Sequence, residues 1–366
     1  MAQISKWLNA CTGFHKGCGT LGRSYLPTRV LEITGPRQVR LYIPEENEIA
    51  PYVCLSHCWG TKACTRTTTS TFDRHRQAIP WDDLQKTFQD AVSVTYRLGI
   101  RYLWIDSLCI IQDDIHDWRH EGSLMANIYA HCYFTIAASR SSDSYQGCFI
   151  HEDYTLNVRE ELKHIDDVYD DPDFPLLRRA WVFQERNLSP RTVHFGPNEL
   201  LWECMAKVEC ECLELYFSPD DRISTESSHI LTPSRQWYNI VTEYSAKALT
   251  FEKDILPALQ GVARVMQSKR RCQYYAGLWQ DTLLLDLLWM ISATCFRRGA
   301  TLDPKDNDLE EPQTWHAPSW SWASVVGKVE WNSDSFTPKE NNMKGSHISV
   351  RRPLAQTLLE NSVAPS

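Results

Sequence analysis

No stretch of this chain is both long and apolar enough to cross a bilayer. The most apolar run, LLLDLLWMISATCF at 283–296, falls short of the roughly 20 residues a membrane helix needs, and Asp286 interrupts it. The opening MAQISKWLNACTGFHKG has no secretion-signal shape either. A basic excess is missing too: 38 Lys and Arg face 46 Asp and Glu, a net charge of −8. Nothing there would neutralise a run of phosphates, so nucleic-acid binding is not expected. There is no G-x-S-x-G elbow, no P-loop and no internal repeat. The expectation is a protein without a membrane span, in the cytosol or nucleus. In those compartments its 13 Cys, an odd number, are thiols rather than a disulfide framework.

What is present is an ordinary globular composition, 43% hydrophobic and 23% charged, over 366 residues. That length suits two domains, or one large domain with an appendage. The one excess is 14 Trp, which serve either as core filler or as flat stacking surface. Two short extended segments are expected around 29–33 and 39–43, split by Gly35-Pro36. After them, the apolar run 52–55 reads as a buried strand, 100–111 as a second, and 133–139 and 191–196 as a third and a fourth strand. Helical periodicity separates them at 84–98, 118–132 and 178–186, with Gly99 as a terminator. This alternation predicts an α/β fold with a parallel sheet flanked by helices. Ligands bind such sheets beyond the carboxyl ends of the strands. The acidic segment 151–175 reads as an exposed insertion. Helices are expected at 237–250, 255–268 and 281–294, and strands in the Trp-rich block 317–331. The division is a cap over 1–46, a core over 47–204, a mostly helical part over 205–340 and a loose tail over 341–366.

GCGTLG at 17–22 satisfies a dinucleotide fingerprint but lacks the preceding strand and following helix, and is read as a loop. Cys11, His15 and Cys18 stand at i, i+4 and i+7, one helical face. They are a weak zinc candidate that needs a fourth ligand from elsewhere; the alternative is a small buried face. Cys204, Cys210 and Cys212 form a weaker set. Ser56, His57, Asp106 and Cys109 invite a hydrolase reading, with Cys109 as nucleophile and His57 as base. Nothing in their spacing brings them together, and buried polar groups at strand ends are the plainer reading. Trp181 and Glu185 stand at i, i+4, an indole beside a carboxylate. Such a pair suits chemistry at a ribose, where a carboxylate steadies an oxocarbenium-like transition state. An ordinary ion pair to Arg178, Arg179 or Arg186 is the alternative. The carboxyl-edge candidates are therefore Ser56, His57, Trp59, Asp106, Ser107 and Glu185. Asp106 serves either to orient a ligand hydroxyl or to cap the next turn, and Trp59 either to stack on a base or to fill the core.

The stretches YVCLSHCWG (52–60), TFQDAVSVTYRLGIRYLWIDSLCIIQDD (87–114), DWRHEGSLMANIYAHCYFTIAAS (117–139), RAWVFQERNLSPRTVHFG (179–196) and LLWEC (200–204) resemble the fungal heterokaryon-incompatibility (HET) domain proteins. WLNACTGFHKGC (7–18), LPTRV (26–30) and APSWSWASV (317–325) are similar to that family's flanking blocks. His57 departs from the family's usual Tyr. The resemblance implies a HET domain over 47–204 and a role in allorecognition and programmed cell death. Its partner would be a second copy or another incompatibility protein. HET domains have been compared with TIR domains, which share a flavodoxin-like sheet. Some TIR domains cleave NAD with the glutamate of a W-C-x-x-E pattern. Trp181 to Glu185 matches that spacing, with Val182 replacing Cys. The resemblance thus implies a flavodoxin/TIR-like fold, NAD as substrate, Glu185 as catalytic residue and Glu121 as the second choice. No cofactor follows from it. A non-catalytic oligomerising signalling module and a scaffold recruited for small-molecule biosynthesis remain the other two readings.

Overall fold

A computed structural model of the chain describes residues 1–18, 24–149, 173–212, 216–217, 232–292, 296–297 and 317–331. The chain forms two compact units, Met1–Ile230 and Leu231–Ser366. In the first, the elements run α1 (Ala2–Phe14), β1 (Ser24–Tyr25), β2 (Val30–Gly35), β3 (Gln38–Tyr42), β4 (Ile49–Ala50), β5 (Tyr52–Ser56), α2 (Phe72–Gln77), α3 (Lys86–Arg97), β6 (Tyr102–Trp104), α4 (Asp106–Cys109), α5 (Ile115–His131) and β7 (Phe134–Ala137). They continue with α6 (Ala180–Leu188), β8 (Arg191–Phe195), β9 (Leu200–Cys204), β10 (Val208–Cys210) and β11 (Tyr216–Phe217).

All of these strands except β1 and β4, which pair with each other, join one sheet in the order β11-β10-β9-β8-β7-β5-β6-β2-β3. Its centre, β6-β5-β7-β8, is parallel. The four expected strands are these four. Each is buried on both faces, which is why β5, β6 and β7 read as near-continuous apolar runs; in β8 the buried Arg191, Thr192 and His194 interrupt the run. The expectation of a parallel sheet needs correcting at its flanks, where β2, β3, β9, β10 and β11 all pair antiparallel and make the sheet mixed.

In chain order the parallel strands lie 2-1-3-4, so the direction of winding reverses between β5 and β7. The crossover β5–α3–β6 and those that follow then lie on opposite faces, given right-handed connections. The contacts agree. Tyr52 of β5 donates its hydroxyl to Ile128 O of α5, and Ser56, two pleats on, faces α6. α5 and α6 pack against each other, while α3 packs on β2 and β6. The α3 face is Phe88, Ala91, Val92 and Thr95, all buried as its periodicity requires, and Gly99 (φ 72°) ends the segment.

Three further expectations change. The run 100–111 is strand only over Tyr102–Trp104; Asp106 accepts the backbone N–H of Ser107 and turns the chain into α4. Residues 151–172 of the acidic segment lie outside the described residues; at its end Asp173 is exposed, while Phe174 is buried in a small apolar cluster with Cys58, Leu176 and Val182. The 281–294 helix is only Leu283–Asp286 (α9). There Asp286 is buried and accepts from Tyr238 Oη, Thr282 Oγ1 and the N–H of Trp279. These bonds pin it beside the short strand Leu278–Trp279, and the chain beyond it pairs as Met290–Ile291 with Val329–Glu330. The other two helices of the second unit form as expected, α7 (Pro233–Ser245) and α8 (Gln260–Arg270). Here the Trp excess is largely core. Trp237 and Trp322 both donate to Gly277 O, and a Cβ at Gly277 (φ 99°) would strike the Trp322 indole. The expected strands of the Trp-rich block shorten to Val325–Val326 and Val329–Glu330. The tail 341–366 lies outside the described residues.

Gly60 ends the segment after β5 with φ 76°, and a Cβ there would collide with Asp143. Gly122, inside α5, has open space where its Cβ would be. Gly60→Ala should therefore cost about 1–3 kcal/mol, while Gly122→Ala should add up to about 1 kcal/mol. Urea denaturation of the two variants checks both signs.

Candidate functional site

β5 delivers Ser56 to its carboxyl end, and α6 carries Glu185 over the same place. The Ser56 hydroxyl donates to Glu185 Oε2 at 2.5 Å, across 129 residues of sequence. Glu185 is 7% exposed. Burial pushes its carboxyl up to about 7; the Ser56 hydrogen bond pulls it down, Asp106 pushes it up, and Arg179 and Tyr129 pull it down. A carboxyl in such surroundings exchanges its proton near neutrality, as acid–base or charge-stabilising chemistry requires.

Around it, the segment after β5 and the start of α4 converge. Trp59 Nε1 donates to Asp106 Oδ2 at 2.9 Å. His57 Nδ1 lies 3.8 Å from Asp106 Oδ1, and the His57 ring meets Phe88 of α3 edge-on. Arg179, at the start of α6, donates to His57 O at 2.7 Å. Burial lowers the His57 pKa to about 4, opposed by Asp106 and reinforced by Arg179. The imidazole is therefore neutral at pH 7. Two buried polar atoms at this edge, His57 Nε2 and Ser107 Oγ, have no hydrogen-bond partner among the described residues. An unmet buried group costs roughly 1–3 kcal/mol.

The structure thus joins Ser56 to Glu185, and His57, Trp59, Asp106 and Ser107 to one another, with Arg179 linking the two groups. Asp106 takes the turn role, accepting the N–H of Ser107 at the start of α4, and its other oxygen accepts from the Trp59 indole. Of the ion pairs weighed for Glu185, Arg186 is taken by Glu203, which it clasps with two nitrogens. Trp181 is half-buried against the core. The second-choice acid, Glu121, is buried against Arg29 at 3.4 Å, with Asp117 also on Arg29. The Cys109 thiol is a poor nucleophile, pushed up to about 12 by burial.

Two features carry no signal in the sequence. Arg179 reads there only as a pairing partner for Glu185, whereas the structure has it hold the backbone of His57. Behind β7 and β8, Ser139 Oγ meets His194 Nδ1, and His194 Nε2 meets Glu203, each at 3.0 Å. That row is fully buried and its acid is already bound to Arg186, so it props the sheet. No local spacing marks it, because its members sit on separate segments: Ser139 just past β7, His194 in β8 and Glu203 in β9. An open depression of about 630 Å³, lined by Tyr25, Pro27, Ile49, Tyr52, Leu124 and His131 among others, lies at the opposite end of β5. It touches none of the groups at the carboxyl edge.

The thiols weighed for metal binding are redistributed. Cys204 leaves Cys210 and Cys212 and joins Cys11, His15 and Cys18, their four ligand atoms lying within 4.8 Å of one another. Cys210 and Cys212 instead gather around Glu199.

Fold and site describe an α/β protein with a buried acid, Glu185, held by Ser56 at the carboxyl edge of a parallel sheet centre. Residues 52–185 match the family model described as heterokaryon incompatibility protein (HET). The match begins on the first residue of β5 and ends on Glu185. No curated protein and no solved structure matches the chain at a significant level.

The folded chain holds the Glu185 proton up to about pH 7, whereas an ordinary carboxyl releases it near 4.5. On this account stability is lost as pH rises between those two values. Glu185→Gln keeps the shape and removes the charge. Its Tm should exceed that of the wild type at about pH 8, by up to roughly 3 kcal/mol in stability, and converge with it toward about pH 4. Thermal melts across that range test this.

Proposed function

We propose that this protein acts in heterokaryon incompatibility by cleaving NAD at the carboxyl edge of its sheet, with Glu185 as the catalytic residue. The observation that carries the reading is the Ser56–Glu185 contact: an acid, nine-tenths buried, seated where ligands bind parallel sheets, its carboxyl pushed up to about 7 by burial. Additional support comes from the strand order 2-1-3-4, which is that of flavodoxin-like sheets. The W-x-x-x-E spacing of Trp181 and Glu185, shared with NAD-cleaving TIR domains, adds to it. This last support is an analogy of fold and motif.

In the proposed reaction the bond between nicotinamide and ribose breaks, and its electron pair leaves with the nicotinamide ring nitrogen. The ionised Glu185 carboxylate faces the developing oxocarbenium ion and lowers its energy. Water then attacks the ribose carbon and gives ADP-ribose and a proton. Ser56 holds the carboxylate in place, Trp59 and Trp181 supply flat surface for the rings, and Asp106, Ser107 and His57 offer polar atoms for hydroxyls and amide. Loss of NAD would account for growth arrest and death of the fused cell, in the cytosol or nucleus, with a second copy or another incompatibility protein as trigger.

Purified full-length protein incubated with NAD tests the reading directly. Nicotinamide release should rise with pH through about 7, as Glu185 ionises, and fall at least about 100-fold in Glu185→Gln, with the Tm of the variant intact. A folded protein that consumes no NAD at any pH, or a Glu185→Gln variant as active as wild type, rules it out.

A further inference from the structure

We propose that Cys11, His15, Cys18 and Cys204 bind one zinc ion in a closed structural site that fastens the N-terminal helix to the sheet. Cys11 sits in the last turn of α1. His15 follows one turn later, its N–H bonded to Cys11 O at 3.1 Å. Cys18 follows in a 3-10 turn, its own N–H bonded to His15 O at 3.2 Å. These bonds wind the three ligands round one centre. Cys204 arrives from the far side, as the last residue of β9, where its N–H to Lys207 O closes a tight hairpin to β10.

All four ligand atoms lie within 4.8 Å of one another, and none of the thiols is in a disulfide. In a tetrahedron with Zn–S near 2.3 Å and Zn–N near 2.0–2.1 Å, sulfur and nitrogen stand about 3.6 Å apart. The distance from Cys204 Sγ to His15 Nδ1 is 3.4 Å. Three sulfurs and one imidazole are a zinc set in both softness and number. Four protein ligands leave no open position, which makes the site structural.

The surroundings fit the charge such a site would carry. Zinc with three thiolates and a neutral imidazole is net −1. Beside it lies the buried guanidinium of Arg191, whose Nε donates to Cys11 Sγ at 3.2 Å and whose NH2 donates to Cys18 O at 3.0 Å. A donor of this kind offsets the negative charge and orients the liganding sulfur, as outer-shell partners of metal sites do. Cys11, Cys18 and Cys204 are all buried, so chelators and oxidants reach the site slowly. Among the described residues the Glu199–Cys210–Cys212 group offers only three ligands, one of them exposed. The zinc group lies outside 52–185 at both ends. It therefore joins the lead-in to β9, the second strand after the HET match.

The test uses the full chain purified without chelator. Native mass spectrometry and metal analysis should find one zinc per chain, absent from Cys18→Ser and Cys204→Ser, and stripping the zinc should lower the Tm. Cobalt replacement should give the d–d bands of a tetrahedral site together with thiolate charge-transfer absorption. Because the Ser variants can unfold a chain that needs its metal, His15→Cys is the second probe. It should keep one metal ion and shift the cobalt spectrum to that of four thiolates. A folded wild-type chain without zinc that binds cobalt without tetrahedral bands overturns the proposal. So does a His15→Cys cobalt spectrum identical to wild type.

Discussion

The backbone ladder that joins β5 to β6 on one side and β7 on the other constrains the rest of the first unit. It runs parallel on both sides. Parallel neighbours need crossover connections, and crossovers put helices on both faces. The strand so enclosed can carry only apolar or fully bonded side chains, and Tyr52 to Ser56 are all buried. Its last residue, a serine, is the exception in polarity, and its hydroxyl is satisfied by Glu185 of α6. The carboxylate is therefore where it is because a polar strand end inside a sheet must have a partner.

The same enclosure gives the site its chemistry. Burial raises Glu185 and lowers His57, so two groups that are normally ionised at pH 7, or close to it, drift toward neutrality. Asp106, which stays partly open to solvent, ties Trp59 to the first turn of α4. Arg179 couples this exposed side to the buried acid. Its guanidinium holds the backbone of His57 and acts on the carboxyl of Glu185 through space. A site assembled from three such segments keeps its geometry only while the sheet edge is intact.

The parallel centre was legible in the sequence because doubly buried strands leave continuous apolar runs, and because Gly60 and Gly99 mark where two segments end. The antiparallel wings were less so: β9 to β11 are short and alternate weakly, and pairing direction leaves no local trace. The 281–294 segment misled for a different reason. It is apolar all round, so periodicity could not show that Asp286 would be drawn inward by Tyr238, Trp279 and Thr282. At the carboxyl edge the residue types and their strand-end positions were readable one segment at a time. Which of them touch was not, since Ser56 and Glu185 meet across 129 positions. Cys204 as the partner of His15 was out of reach for the same reason, at 189 positions.

The order 2-1-3-4 also governs how the chain must be made. The interior strand β5 leaves the ribosome before any of its parallel neighbours. Until β6 and then β7 are complete, both of its faces and both of its backbone edges lack their final cover. Nascent chains with a bare, apolar, unpaired strand are sticky, and long-range parallel pairing is slow to close. Yield in a foreign host should therefore depend on chaperone supply and growth temperature more than on the final stability of the fold.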